Sequence, residues 1–317
     1  MNFTFTDDQL ALAGTVRDVL RAHCPPAALR AERLPAWAEL ASLGFFGLLV
    51  PQEFGGLGLE LVDMVAALEE TGRACLPGPL VETAVAAPYL LEDDSLAKLA
   101  SGELRVSVLL ADQTYALDAD LADLLVVGRS LVSRDLVRLT PYPSADPCRH
   151  LFGVSFGEAT PLRRPAVQAS KRAVVATAAQ LIGVARHLLD TTVGYARTRT
   201  QFGSPIGAFQ AVKHQLADVA VAVDFAAPLV HRAALSVDLP TGARDSSAAF
   251  VSAGEAAERA ARVALQVHGA IGYTHELDLR FWLARVWSLT AAFGGVAVHR
   301  ARLRAAILGT LPPGRWP

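Results

Sequence analysis

The sequence predicts a mainly α, α+β protein in three parts: an all-helical segment over residues 1–100, a short β-rich region over 101–165, and a bundle of four long helices over 166–317. Three observations predict it. Apolar residues recur at spacings of three and four through both ends of the chain, which is the signature of buried helix faces. Short β-type runs separated by Asp, Gly, Ser and Pro are confined to the middle. The long periodic stretches of the last half are joined by short loops, as in an antiparallel bundle.

Thr6-Asp7-Asp8-Gln9 reads as a capping box that opens the first helix, with Leu10, Leu12, Ala13, Val16, Val19 and Leu20 directed inward. Trp37, Leu40, Leu43 and Phe46 mark a second helix, ended by glycines and Pro51. Residues 51–58 form a turn, and helices resume over about Leu59–Arg73 and Val81–Leu91. Glu53, Glu69 and Glu70 read as a solvated helix face or cap. In the middle, Arg105–Leu110, Asp123–Val127 and Leu136–Leu139 are strand-like. Helical periodicity then returns over about 173–200, 209–236, 246–268 and 279–308. Asp190 on the first of these reads as ordinary surface.

Hydrophobic residues make up 52% of the 317, enough for a sizeable core. Twenty-nine basic against 31 acidic residues give a net charge of -2, and no basic block is interleaved with aromatics, so nucleic acid is excluded as a partner. No apolar run is expected to reach the length needed to span a bilayer, and Met1 leads into a polar helix start, so a cytoplasmic protein with no membrane partner is expected. Cys24, Cys75 and Cys148 are odd in number and widely spaced, which suits reduced thiols and no metal site.

The stretch richest in chemistry is Tyr195-Ala196-Arg197-Thr198-Arg199-Thr200-Gln201-Phe202-Gly203-Ser204-Pro205-Ile206-Gly207, followed by Phe209-Gln210. Gly203, Pro205 and Gly207 stop one long helix before the next begins, giving a helix–turn–helix corner. The Arg199 guanidinium fork could hold a pyrophosphate there, with Phe202 as an apolar wall for a ring. A surface Arg and a packing Phe are the plainer alternative.

This run resembles the acyl-CoA dehydrogenase family. Two further segments match in the same order: Leu43-Gly44-Phe45-Phe46-Gly47-Leu48-Leu49-Val50-Pro51-Gln52-Glu53-Phe54-Gly55-Gly56, and Gln266-Val267-His268-Gly269-Ala270-Ile271-Gly272-Tyr273-Thr274-His275-Glu276. The resemblance implies that family's fold, with an N-terminal helical domain, a truncated middle β-domain and a C-terminal four-helix bundle. It also implies FAD as cofactor and an acyl-CoA thioester as substrate, with electron-transfer flavoprotein as acceptor. In the family a carboxylate removes the substrate α-proton while the flavin takes a hydride from the β-carbon. The positions where the resemblance places that base are Phe293 or Gly294, and alternatively Ala173. None can accept a proton, and no Asp or Glu follows Asp278. The Thr-Glu-Pro-x-Ala-Gly-Ser-type segment that meets the flavin in the family is also missing from the middle region. His268 and His275 read as structural residues, not replacement bases. What survives is the set that in the family reaches a neighbour's FAD: Arg199, Phe202, Gln210, Gln266 and Gly269, with Ala270 in place of a second glycine. The resemblance therefore implies a base-less small subunit, similar to those of actinobacterial steroid-degrading heterotetramers, which lends distal FAD contacts to a larger acyl-CoA dehydrogenase subunit. A scaffold that kept the fold but lost FAD is the alternative.

Overall fold

The computed structural model of the chain describes residues 4–92, 94–110 and 113–310, so Met1 and the end of the C-terminal region lie outside the described residues. Helix α1 (Asp7–His23) opens on the capping box expected of Thr6 and Gln9. Its buried stripe is Gln9, Ala13, Val16 and Leu20, so Leu10, expected inward, is exposed instead. Gln9 can go inward because its amide donates to Asp63 at 3.0 Å. After α2 (Ala28–Ala31), helix α3 (Trp37–Ser42) is stopped by Gly44 in the left-handed region, which leaves Leu43 exposed and turns Phe45 and Phe46 into the core. Helix α4 (Leu61–Arg73) follows. The helix expected over 81–91 is a π-helical turn, Glu82–Ala86, running into a 3-10 turn, Ala87–Tyr89. Pro88 has no N–H and crowds the preceding turn, so a regular helix cannot propagate there. α5 (Asp94–Ala100) ends the helical third.

The middle region is two small sheets. One has the order β1 (Val106–Leu109), β3 (Leu124–Val127), β4 (Ser130–Ser133), β7 (Thr160–Pro161), with β1 and β3 parallel and the remaining pairs antiparallel. The other is antiparallel, in the order β2 (Ala116–Leu117), β6 (Leu151–Phe156), β5 (Val137–Tyr142). Strand alternation assigns the faces: Val106, Val108 and Val126 enter the main core, while Leu125 and Val132 join a second cluster with Val137 and Phe152. The first sheet is thus a partition between the helices and the second sheet.

The C-terminal region is built on α6 (Val167–Thr198), α7 (Gln210–Ser236) and α8 (Gly242–His268). The expected fourth helix is two, α9 (Leu279–Thr290) and α10 (Gly295–Ile307), bent by 61°. Gly294 and Gly295, both at positive φ, carry the chain through that break. α6 is the central element, packed against α4, α7 and α8. Its crossing with α4 is close enough that a Cβ on Gly183 would lie 1.8 Å from the Glu69 carbonyl oxygen, and one on Gly72 would lie 2.1 Å from that of Gln180. Contrary to expectation, α6 and α7 are both long and apolar enough to cross a membrane. For α6 that apolarity serves the core, since 78% of its most apolar window is buried; for α7 the share is 44%.

Candidate functional site

The corner after α6 contains a β-hairpin that periodicity could not reveal. Strands β8 (Thr200–Gln201) and β9 (Ser204–Pro205) are antiparallel, and the turn between them is Phe202-Gly203. Both turn residues are left-handed, with φ of 53° and 81°, the requirement of a type I′ hairpin. The conformation suits Gly203 and strains Phe202, whose Cβ crowds the backbone there by roughly 1–2 kcal/mol. Phe202 is nonetheless 93% exposed, with its ring edge-on to Phe209 at 6.2 Å between centroids. Arg199 ends α6: its N–H donates to the Tyr195 carbonyl and its own carbonyl accepts from Ile206, which pins the hairpin root. Its side chain is exposed and makes no ion pair or hydrogen bond among the described residues.

The three motif positions that follow gather at the same end of the bundle. Tyr195 stacks on His268 at 4.3 Å, joining the end of α6 to the end of α8. Gln266 stands exposed two residues before that contact, and Gln210 is the exposed first residue of α7. Gly269 terminates α8 with φ 64° and ψ -142°, a conformation essentially restricted to glycine, and a Cβ there would meet open space. Ala270 has no positive φ, so its methyl strains nothing. His268 is buried and its Nδ1 lies 2.8 Å from the Ala264 carbonyl, a structural residue as expected. His275 is exposed beside Arg280.

Sequence reasoning missed the residues that share a groove with Gln266. Gln215 on α7 and Arg259, Arg262 and Val263 on α8 line it together. Arg259 has only a loose contact with Asp218, at 3.9 Å. Spacing of three between Arg259 and Arg262, and of four from there to Gln266, puts all three on one helix face. That signal was available in the sequence. The two guanidinia and two amides of this groove form a donor set that fits a pyrophosphate and adjoining sugar hydroxyls, and Arg199 stands exposed at the end of α6. The residues present therefore fit the ADP half of FAD.

The base positions lie in the opposite environment. Ala173 is 0% exposed in the middle of the helical core, and Phe293 is 5% exposed at the break between α9 and α10. One turn beyond Ala173 stands Thr177, and one turn before Phe293 stands Leu289; both line a cavity of about 10 Å³. That volume holds about one water molecule. Charge fills the surroundings: Arg285 bonds Asp146 at 2.6 Å and the Leu76 carbonyl at 2.8 Å, and Arg149 donates to Ser288. Glu82 lines the same cavity, and burial pushes its carboxyl up to about 7 despite the opposing charge of Arg149. Glu69 and Glu70, expected on a solvated face, are buried too, held by Arg186 at 2.5 Å and Arg17 at 2.8 Å.

Residues 6–103 match the acyl-CoA dehydrogenase N-terminal domain and residues 169–308 the acyl-CoA dehydrogenase C-terminal domain. Across 315 residues the chain is 32% identical to the acyl-CoA dehydrogenase IpdE2 of Mycolicibacterium smegmatis, covering 95% of this chain and 99% of that protein. The chain belongs to the acyl-CoA dehydrogenase family. It is also 35% identical to IpdE2 of Mycobacterium tuberculosis over 294 residues, 88% of this chain and 91% of that protein. Among solved structures it shares its fold with a chain of the ChsE4-ChsE5 complex from Mycobacterium tuberculosis, at a TM-score of 0.87 and 23% identity, covering 98% of this chain and 100% of that one. The acyl-CoA dehydrogenase matches leave only the β-rich middle between them.

Proposed function

We propose that the chain is a base-less subunit of a heteromeric, FAD-dependent acyl-CoA dehydrogenase and that it holds the distal half of a FAD whose reacting ring belongs to a larger partner subunit. The observation that carries this reading is the segregation of chemistry. Side chains fit for a pyrophosphate, Arg199, Arg259, Arg262, Gln210 and Gln266, are exposed at one end of the bundle. Of the base positions, Ala173 and Phe293 are apolar and sealed, and the half-buried Gly294 has no side chain. FAD, where bound, supplies the hydride acceptor for α,β-dehydrogenation of an acyl-CoA thioester. This chain's part is to fix the pyrophosphate with Arg199, to cover a ring with Phe202, and to let the chain turn closely at Gly269.

The exposed face of α7 supports a protein partner beside that clamp. Val221, Phe225 and Leu229 follow one another at spacings of four, and Phe225 is 75% exposed. Phe202 and Phe209 add exposed apolar side chains at the hairpin, and clustered exposed apolar residues of this kind suit a protein partner. Electron-transfer flavoprotein is the acceptor this assignment implies, and the resemblance to steroid-type small subunits makes a steroid-derived CoA thioester the substrate to try first.

Co-expression with a larger acyl-CoA dehydrogenase subunit from the same cell, followed by flavin quantitation, tests the proposal. The expected result is a stable complex with FAD bound, and little or no FAD on this chain purified alone. A homomeric preparation loaded stoichiometrically with FAD would overturn it, and a complex without flavin would favour a scaffold.

A further inference from the structure

A second pocket lies away from the corner, where α1, α4, α6 and α9 meet. It encloses about 320 Å³, within the range of small-molecule sites. Much of its lining is apolar: Leu20 and Ala74, the exposed Pro25-Pro26 pair, and a ring stack in which His187 lies on Trp282 at 3.9 Å and 6°. That stack is fixed, because the Trp282 indole N–H donates to the Arg73 carbonyl at 2.8 Å and the Thr191 hydroxyl stands 3.3 Å from His187 Nε2. Burial, aided by the charge of Arg73, holds the imidazole down to about 4, so near neutral pH it is an uncharged flat surface.

The mouth is cationic. Arg17, Arg21 and Arg73 line it against a single lining carboxylate, Glu70. Arg17 is engaged with Glu70 at 2.8 Å and Arg73 with Asp190 at 2.6 Å. Arg21, in the last turn of α1, makes no ion pair or hydrogen bond among the described residues and is left to meet an anion. Cys24 lines the wall, yet burial pushes its thiol up to about 12, which points to reversible binding and not to thiol chemistry.

We propose that this pocket binds a small carboxylate carried on a flat apolar ring system, its ring against the Pro25-Pro26 and His187–Trp282 walls and its carboxylate on Arg21. A neutral ring leaves the guanidinium unanswered, and a bare anion leaves the apolar walls wet; the lining fits a ligand that has both ends. None of the residues invoked belongs to the exposed corner, so the proposal stands apart from the FAD-clamp reading.

Isothermal titration calorimetry of the full chain with 2-naphthoate tests it, beside 2-naphthalenemethanol and inorganic phosphate. The expected result is one saturable site per chain for 2-naphthoate, with both comparison compounds about tenfold weaker or worse. Arg21→Ala should weaken 2-naphthoate by about tenfold, the usual cost of one charge-assisted hydrogen bond. Arg21 is exposed, so the variant should fold, and an unchanged melting temperature would verify that. Absence of saturable binding overturns the proposal, as does equal binding of the neutral alcohol or of phosphate, or an Arg21→Ala chain that binds as wild type does.

Discussion

The two ends of α6 make the instructive comparison. Near its start, Ala173 is sealed in the core, one turn from a one-water cavity lined by the buried Glu82, Arg149 and Arg285. Just past its end, Arg199 and Phe202 stand in solvent on a strained hairpin. At 1.5 Å per residue the two lie roughly 39 Å apart along the helix, so the clamp and the vacant base position of one chain do not share a site. Where a catalytic carboxylate would need space and a substrate, this protein has packing. The sealed end is held by packing, whereas the exposed arginines and the left-handed Phe at the other end contribute little to folding.

The largest effect should come from reversing the sealed end. Ala173→Glu places an unpaired carboxylate in the core and should cost more than about 3 kcal/mol of unfolding free energy by denaturant titration. It should yield no acyl-CoA-dependent turnover in the isolated chain, because the sealed core around it has no room to hold a flavin and a thioester in reacting geometry. A stable, active variant would break the comparison.

Next in size is a pH effect of the buried junction. The Glu82 carboxyl sits at about 7 in the folded chain against 4.5 when free, so the folded state keeps a proton that the unfolded state releases between those values. Stability should therefore fall as pH rises from 4.5 to 7, by up to about 3 kcal/mol for this group. Burial sets Glu69 at about 7 as well, and it adds a slope of the same sign. Glu82→Gln should remove about half of the combined slope in melts taken across that range; an unaltered slope would mean that Glu82 keeps its charge in the core.

The smallest effect on folding belongs to the exposed end. Phe202→Asn puts a residue tolerant of positive φ into the turn and should raise stability by about 1 kcal/mol or leave it unchanged. In the heteromer the same change should lower FAD retention. A loss of stability instead would return Phe202 to a packing role.

The sequence carried the helical architecture because amphipathic stripes and the Thr6 capping box are local signals. Strands β8 and β9, two residues each, have no periodicity to detect, so the hairpin at the corner read as a plain turn. The break at Gly294-Gly295 was visible in the glycine pair but was bridged by apolar residues on both sides. The buried acids were illegible for another reason: Arg186 reaches Glu69 from 117 residues away, and only the fold supplies such a partner. Of the candidate site, Arg199, Phe202, Gln210, Gln266 and Gly269 came from motif order alone, whereas Arg259 and Arg262 lie outside the matching motifs and join Gln266 only through the groove between α7 and α8.

The most direct test of the central claim is FAD affinity of the assembled complex carrying Arg199→Ala in this subunit. Loss of one charged hydrogen bond to phosphate is worth about 1.5–3 kcal/mol, so affinity should fall roughly ten- to a hundredfold. Excess FAD should restore most of the activity, and Arg199→Lys should recover only part of the affinity, since an ammonium lacks the bidentate fork. Wild-type FAD affinity in the Arg199→Ala complex would contradict the clamp.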